Sequence, residues 1–452
     1  MEVQTPVPSG DDGPGDSSLI RYLETRFPLE LFLHLTGFMD DSSIQNLRLV
    51  SRGLERALLP TFQRRFFAKR HICQNEHSLR RAAAISDHPR FGAHISSVSV
   101  GCIHGPSDIE NADNAVFIDC GYDVEFLTHA FTNMSGLQDI TIHRRPIPLA
   151  RDNPRKLLRQ LLHALSKAGR ELQSFDMEIE GGGTGGGFSL SDLHLSDSLF
   201  EHLSRPLRSL RRLSLAIDPR PWPGRQDEPN IEPQLMRFLE IPRELEHLRL
   251  NLDRDAPLST ATILKSLTLE APSSLLHLTR LDLGKMTTTV DTLVELVRVA
   301  AKPLVRLQFY RIGLKFSPNQ DYPPDYFPEP TGDPPHLEAA LWQMVFRELA
   351  TMPELERLTQ FSANYLTERL RKDHVAFRQE LPGEKFEMRP GCEYTGVEAR
   401  GFIKGLCENA VIRSPRPPLQ VLWAPEDEEL EVLSDGIEDN EDNEDDEGSD
   451  SE

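Results

Sequence analysis

The residues that could do chemistry include a glycine-rich run at 181–187, which formally contains the pattern GxGxxG. In dinucleotide-binding folds such a run follows a strand and opens a helix whose N-terminus meets the pyrophosphate. Here the chain continues as Phe188-Ser189-Leu190-Ser191, which does not open a glycine-packed helix. The P-loop pattern GxxxxGK followed by Ser or Thr is absent from the sequence. We therefore interpret the run as a flexible loop between repeats and predict no nucleotide site.

Histidines and cysteines lie close together at two places. His71, Cys73 and His77 fall within seven residues, and Cys102 lies near His104. Neither group has the fourth ligand that a structural zinc site requires. The sequence has no GxSxG motif, and no catalytic triad or pair of carboxylates stands out. We predict a chain that is not an enzyme and that uses no metal and no cofactor.

Composition excludes several classes of protein. The chain has 452 residues, of which 38% are apolar, enough for sizeable cores. It contains no run of about 18 apolar residues, so we expect no contact with the membrane interior. Residues 1–18 are polar and predict a disordered leader rather than a secretory signal. The five cysteines are never spaced as CxxC, which favours reduced thiols in the cytoplasm, the nucleus or both.

The acidity of the chain is concentrated in residues 426–452. This segment holds 16 Asp and Glu and no Lys or Arg, which leaves −5 of the total net charge of −21 for the rest. Such a segment cannot fold against its own repulsion, so we predict a disordered acidic tail. Its role is open between solubility and contact with basic proteins. The acidity also argues against a nucleic-acid-binding surface over the whole chain.

A strongly apolar segment with helical periodicity spans residues 22–70. Pro28 lies near the first turn of a predicted helix, where its missing N–H costs little. Ser42 and Gln45 are spaced as a capping box for a second helix, and a third helix follows. Three short helices form a poor core by themselves. The excess of apolar surface therefore predicts an obligatory partner.

Residues 27–67 read FPLELFLHLTGFMDDSSIQNLRLVSRGLERALLPTFQRRFF. They match a Leu-Pro-x-Glu-Leu start, a Leu-Asp turn and a Val-Ser-Arg element, and in this respect the segment resembles an F-box. Departures are mild: Phe27 and Met39 replace leucines, and Leu54 stands where Trp or Phe is usual. The sequence His88-Pro89-Arg90-Phe91-Gly92 also resembles a motif that follows the F-box in many fungal F-box proteins.

The resemblance implies a substrate-receptor subunit of a Skp–cullin–F-box ubiquitin ligase. Its three-helix F-box would dock on the Skp-family adaptor and, through it, reach the cullin, while the following region would bind a protein client of unknown identity. The resemblance places Pro28, Leu31, Leu35, Phe38, Ile44, Leu47 and Val50 in or beside the adaptor-binding surface. The alternative is a non-ligase interaction scaffold, in which the F-box-like helices only cap the first repeat.

From residue 78 to about 370, helix-period segments alternate with strand-like triplets of the form apolar-x-x-apolar-x-apolar. The triplets begin at Ile95, Leu137, Leu172, Leu210, Leu245, Leu278, Leu304 and Leu355. Helix, short turn and short strand in repetition is the leucine-rich-repeat arrangement. The spacings of 26 to 51 residues mostly exceed the standard repeat, and the usual Asn is absent: that place holds Asp218, Asp253, Met286 and Ile312. We therefore expect loops without an internal hydrogen-bond ladder and an irregular solenoid; the alternative is an ordinary α/β domain with parallel strands.

Together these patterns predict an α/β protein with five parts. A disordered leader (1–18) precedes a three-helix F-box (22–70) and an irregular leucine-rich-repeat-like solenoid of helix–strand units (78–370). The solenoid contains a proline-rich insertion at 317–335, which either forms a simple surface loop or contacts the client. An extension (371–425) and the disordered acidic tail (426–452) follow.

Overall fold

A computed structural model describes thirteen parts of the chain. They are residues 28–73, 75–101, 120–144, 154–179, 188–189, 193, 195–218, 232–252, 257–270, 273–315, 339–368, 373–381 and 385–413. The predictions for the leader, the glycine run, the Cys102–His104 pair, the proline-rich insertion and the acidic tail lie outside these residues. The chain divides into the units Met1–Ser414 and Pro415–Glu452, and every described residue belongs to the first.

Three helices open the described chain, as the apolar periodicity predicts: α1 (Leu29–Thr36), α2 (Asp41–Val50) and α3 (Arg52–Phe66). The predicted capping box at Ser42 and Gln45 is wrong. Helix α2 starts earlier, because the carboxylate of Asp40 accepts a hydrogen bond from the backbone N–H of Ser43 at 2.6 Å. Aspartate is among the best N-cap residues and also favours the positive end of the helix dipole.

The remaining helices alternate with strands along the chain. They are α4 (Glu76–Asp87), α5 (Tyr122–Asn133), α6 (Pro154–Ala168), α7 (Asp197–Leu207), α8 (Glu232–Glu240), α9 (Pro257–Leu269), α10 (Val290–Ala300), α11 (Ala340–Thr351) and α12 (Ala399–Asn409). Contacts link α4 to α5, α5 to α6, α6 to α7, α8 to α9, α9 to α10, α10 to α11 and α11 to α12. Arg237 of α8 also pairs with Asp197 of α7 at 2.9 Å. Helices α4 to α12 therefore form one layer in chain order. None of the described helices is both long and apolar enough to cross a bilayer.

The main sheet lies beside this layer. Its strands are β1 (Lys69–Ile72), β2 (Ser97–Gly101), β3 (Asp139–Arg144), β4 (Ser174–Ile179), β5 (Phe188–Ser189), β6 (Arg212–Asp218), β7 (His247–Leu252), β8 (Arg280–Gly284), β10 (Arg306–Tyr310), β12 (Gln360–Asn364) and β16 (Gly391–Thr395). The order along the sheet is β1-β2-β3-β4-β6-β7-β8-β10-β12-β16, with β5 beside β6. All pairs are parallel except β12 with β16. Each parallel strand thus pairs with the next strand of this sheet along the chain, except that β6 pairs with both β4 and β5.

The apolar triplets predict these strands well. Leu213, Leu248, Leu281, Leu307 and Phe361 stand in register on successive strands and are all buried. The helices and these side chains share one continuous core. The prediction of an α/β protein is therefore confirmed.

The predicted start of the eighth triplet at Leu355 is wrong. Its first residue is Leu358, with Phe361 and Ala363 in register with Leu307 and Phe309. Leu355 instead closes a short 3-10 turn before the strand. Both leucines are fully buried, so periodicity alone does not distinguish them.

A second sheet follows the C-terminal ends of the last parallel strands. Its strands are β9 (Thr287–Thr289), β11 (Gly313–Lys315), β13 (Thr367–Glu368), β14 (Asp373–Leu381), β15 (Lys385–Arg389) and β17 (Ala410–Arg413). The first three pair in parallel and the rest are antiparallel. The extension predicted from residue 371 thus contributes strands to both sheets.

The expected lack of a hydrogen-bond ladder in the loops is wrong after the last three parallel strands of the main sheet. After β8, β10 and β12 the chain passes through Lys285, Arg311 and Tyr365, each with a positive φ of 52° to 55°. Their backbone N–H groups donate to carbonyls of Tyr310, Asn364 and Pro390 at 2.8 to 2.9 Å. Backbone groups therefore replace the missing asparagine side chains, while Met286 and Ile312 are buried apolar contacts.

Candidate functional site

The three-helix unit, α1 to α3, has a small core of its own. Phe32, Leu54 and Leu58 are buried together, and the half-buried Leu47 and Ala57 pack against them. Ile44 of α2 and Phe62 of α3 are buried as well. Five buried apolar side chains are still few for a unit of this length, since each contributes about 1.5–3 kcal/mol. The unit therefore has two further apolar surfaces, one exposed to solvent and one packed on the rest of the protein.

On the solvent side, α1 exposes an apolar stripe formed by Leu31, Leu35 and Phe38. Their exposed fractions are 54%, 50% and 78%. The spacing i, i+4, i+7 places the three side chains along one face of a helix, and Phe38 continues it in the turn after α1. At the end of α2, Leu49 and Val50 are also exposed, by 75% and 51%. Large apolar side chains grouped in this way are typical of a protein interface.

The predicted adaptor-binding residues therefore divide into two sets. Pro28, the stripe and Val50 are exposed. Ile44 is fully buried and Leu47 half-buried, so these two support the surface from beneath. Leu49 was missing from the sequence-based set, although its place next to Val50 at the end of α2 was a usable signal.

The turn between α1 and α2 is held by Arg65 of α3. Its guanidinium pairs with the carboxylate of Asp41 at 2.5 Å and donates to the carbonyl of Met39 at 2.7 Å. Hydrogen bonds from Ser43 and Ser42 keep the pKa of the neighbouring Asp40 below its ordinary value. These contacts orient the exposed residues on α1 and α2 relative to α3. Arg65 thus has structural partners within the chain.

The other surface packs on the body of the protein. Phe67, just after α3, stacks on Phe91 with ring centroids 4.1 Å apart, and His88 stacks on the same ring at 4.3 Å. Phe62 of α3 adds an edge contact to Phe91 at 6.5 Å. The side-chain amide of Gln63 donates to the carbonyl of Arg90. The His-Pro-Arg-Phe-Gly motif thus joins the three helices to the first helix–strand unit.

The main sheet presents a second candidate surface, on the side away from the helix layer. Strand residues alternate between the two faces of a sheet, so the neighbours of the buried leucines point away from the helices. One register row runs Ser174, Arg212, His247, Arg280, Arg306 and Gln360. The next row on this face runs Asp176, Ser214, Arg249, Asp282, Gln308 and Ser362. We call these rows the polar sheet face.

Asp282 is the centre of a hydrogen-bonded cluster on this face. Its carboxylate lies 3.0 Å from Nε2 of His247 and accepts from the guanidinium of Arg280 at 2.6 Å. Burial raises the pKa of Asp282, but the hydrogen bonds from His247 and Arg280 outweigh burial and hold the pKa below its ordinary value. The carboxylate is therefore ionised at neutral pH and fixes both partners in place.

The histidines and cysteines that could do chemistry lie in no arrangement that forms a reactive site in the described part of the chain. His71 lies 3.3 Å from the hydroxyl of Ser99 on the next strand, and His77 is exposed on α4. Within the described ranges, no group of three His, Cys, Asp or Glu residues is placed to hold a metal. Burial raises the pKa of Cys392 to about 12, so this residue is a neutral thiol and a poor nucleophile. It borders a cavity of about 510 Å³ near β14 and α12.

The two candidate surfaces, the apolar stripe on α1 and the polar sheet face, were compared with known proteins through the whole sequence. No family model matches the chain, and the search of curated proteins returns no match either.

Proposed function

We propose that this protein is a substrate-receptor subunit of a Skp–cullin–F-box ubiquitin ligase. The observation that carries the proposal is the apolar stripe with Leu49 and Val50, exposed on a three-helix unit with a small core. Such a surface is costly to leave in water and is suited to a protein partner of complementary shape. The resemblance of residues 27–67 to an F-box supports a Skp-family adaptor as that partner.

The arrangement of the remaining chain supports an irregular leucine-rich-repeat-like solenoid. Its parallel strands follow chain order without a reversal among the described strands. The helices contact one another in the same order. A doubly wound α/β domain instead reverses its strand order at a switch point and carries helices on both faces. A solenoid leaves one sheet face open for binding, here the polar sheet face.

In this proposal the chain acts by proximity. The three helices hold the adaptor and thereby the cullin, while the repeat region holds a client protein. Binding two partners on one chain makes ubiquitin transfer to the client effectively intramolecular. The chain itself contributes no reacting group.

The test is capture of a purified Skp-family adaptor by the full-length chain, compared with a Leu31→Asp, Phe38→Asp variant. Both side chains are at least half exposed, so the variant should fold. A charge at the centre of an apolar interface should weaken binding by about tenfold or more. Binding is measured by calorimetry and folding by thermal unfolding.

The matched control is Leu269→Asp, because Leu269 is 73% exposed at the end of α9, outside the three-helix unit. We expect this control to bind the adaptor as tightly as the unchanged chain. Equal binding by the wild-type chain and the double variant, or no binding by the wild-type chain, contradicts the proposal.

The alternative of a non-ligase scaffold is favoured by one observation, the aromatic contacts of Phe62 and Phe67 with Phe91. They make the three helices a cap on the first helix–strand unit. This function predicts a folded chain that binds no adaptor. The capture experiment therefore decides between the two proposals.

A further inference from the structure

The polar sheet face has an unusual charge for a chain of net charge −21. On the neighbouring strands β6, β7, β8 and β10, its two rows contain four arginines and one carboxylate. The arginines are Arg212, Arg249, Arg280 and Arg306, and the carboxylate is Asp282. A basic region on an acidic molecule attracts anionic groups of a partner.

Two of these arginines are neutralised by partners within the sheet. Arg212 pairs with Asp176 at 3.1 Å, and Arg280 pairs with Asp282 at 2.6 Å. The other two are not. Arg306 donates to the neutral side-chain carbonyl of Gln308 at 3.1 Å, and Arg249 is exposed. No carboxylate in the described part of the chain pairs with Arg249 or Arg306.

Arg306 stands next to Arg280 on paired parallel strands, and the charge of Arg280 is balanced by Asp282. The buried leucines on the other face hold the strands together, so folding does not require an arginine at position 306. The positive charge of Arg306 is therefore available to a bound anion.

The C-terminal edge of the same strands adds aromatic rings to the positive charge. Arg311 lies over the ring of Tyr310 at 5.3 Å and near that of Tyr365 at 5.9 Å. Tyr365 is 49% exposed, and its ring meets that of Tyr310 edge-on at 5.9 Å. Arginine and tyrosine are enriched at the energetic centres of protein interfaces.

We propose that the arginine face, formed by Arg212, Arg249, Arg280 and Arg306, binds an extended acidic segment of a protein. The anions are carboxylates or phosphates, which share the geometry that a guanidinium binds through two hydrogen bonds. Arg212 and Arg306 lie three strand spacings apart, about 14 Å, which an extended peptide covers in about four to five residues. The inference rests on the proposed function only in assigning the acidic segment to a client of the receptor. Binding of the segment itself requires no adaptor.

The test is fluorescence anisotropy of labelled ten-residue peptides with the full-length chain, without adaptor. The probes are a Glu/Ser peptide, a phosphoserine peptide, a neutral Gln/Ser peptide and a single-stranded RNA oligonucleotide. We expect one or both acidic peptides to bind and the neutral one to bind at least about tenfold more weakly. Raising the salt from 0.05 to 0.5 M should weaken acidic binding, because exposed charges are screened. Tighter binding of the Glu/Ser peptide identifies carboxylates as the anions that the arginines bind, and tighter binding of the phosphoserine peptide identifies phosphates.

The key variant is Arg249→Glu, Arg306→Glu, which should weaken acidic-peptide binding by about tenfold or more. Its control, Arg208→Glu, Lys265→Glu, changes the net charge equally at exposed residues of the helix layer and should bind normally. Binding of neither acidic peptide, equal loss in the control, or RNA binding as tight as peptide binding would overturn the inference. Adaptor capture is measured separately, so either proposal can fail alone.

Discussion

Asp282 shows how a single buried carboxylate organises a polar face. It is only 6% exposed and accepts hydrogen bonds from two neighbouring basic groups, His247 on β7 and Arg280 on its own strand. Because its pKa is held below the ordinary value, the folded state binds this proton more weakly than the unfolded chain does. The carboxylate therefore stabilises the fold above the pKa of an unfolded Asp, about 3.9. This contribution disappears as the pH falls through the folded pKa.

We predict that Asp282→Asn lowers the free energy of unfolding at pH 7 by roughly 1–3 kcal/mol, because two basic groups lose a charged acceptor. The difference from the wild-type chain should shrink as the pH falls below about 4. Urea unfolding between pH 3 and pH 7 measures both effects. Asp197→Asn is the control: this carboxylate is 90% exposed beside Arg237, and its removal should cost about 1 kcal/mol at most. A pH-independent difference for Asp282→Asn would contradict the assignment.

At the scale of elements, the segment His88 to Gly92 decides how the three-helix unit joins the helix–strand units that follow. Phe91 supplies the ring on which Phe67 and His88 stack. The next residue, Gly92, lies where the chain passes close to α4. A Cβ built on Gly92 would lie 2.1 Å from the carbonyl oxygen of Ser86. The motif therefore combines a contact residue with a residue that permits a close backbone approach.

We predict that Gly92→Ala destabilises the protein by about 1–3 kcal/mol, since the backbone must shift to admit the methyl group. The free energy of urea unfolding measures the change. Gly401→Ala in α12 is the matched control, because a Cβ there meets no atom within 4 Å. That substitution should stabilise the helix by about 0.5–1 kcal/mol. An unchanged free energy of unfolding in the Gly92→Ala variant would show that the motif tolerates a side chain at this position.

At the scale of the whole molecule, charge is divided unevenly along the chain. The tail at 426–452 accounts for 16 of the acidic residues, and the remaining chain has a net charge of only −5. The polar sheet face bears arginines on four successive strands. A purely acidic segment and a partly basic face favour partners of opposite kinds.

We predict that deleting residues 426–452 sharply reduces capture of the protein by polylysine-coated beads at low salt, because most of the excess negative charge is lost. A chain whose tail is replaced by a Ser/Asn segment of equal length controls for size. Adaptor capture should be unchanged in both, since the apolar stripe is uncharged. Undiminished capture by polylysine after the deletion would assign the interaction to the rest of the chain.

Local pattern alone predicted much of the fold. The triplet spacing located seven strands of the main sheet, because each of them alternates buried apolar residues with mostly polar ones. These strands are β2, β3, β4, β6, β7, β8 and β10. The apolar periodicity and Pro28 predicted three helices before residue 70. In contrast, β1 is polar at three of its four positions, and β16 is mostly polar, so neither edge strand had a hydrophobic signal.

Only the tertiary structure decided which patterned residues are buried, exposed or in register. Ile44 and Leu49 are both apolar residues of α2, yet one is fully buried and the other 75% exposed, because exposure depends on where α1 and α3 pack. Leu358 rather than Leu355 begins the last triplet, since pairing with β10 selects the register. The arginine face joins residues from 212 to 306, which no local window brings together. Sequence therefore determined the apolar period of each element, and long-range packing determined the surfaces that these elements form together.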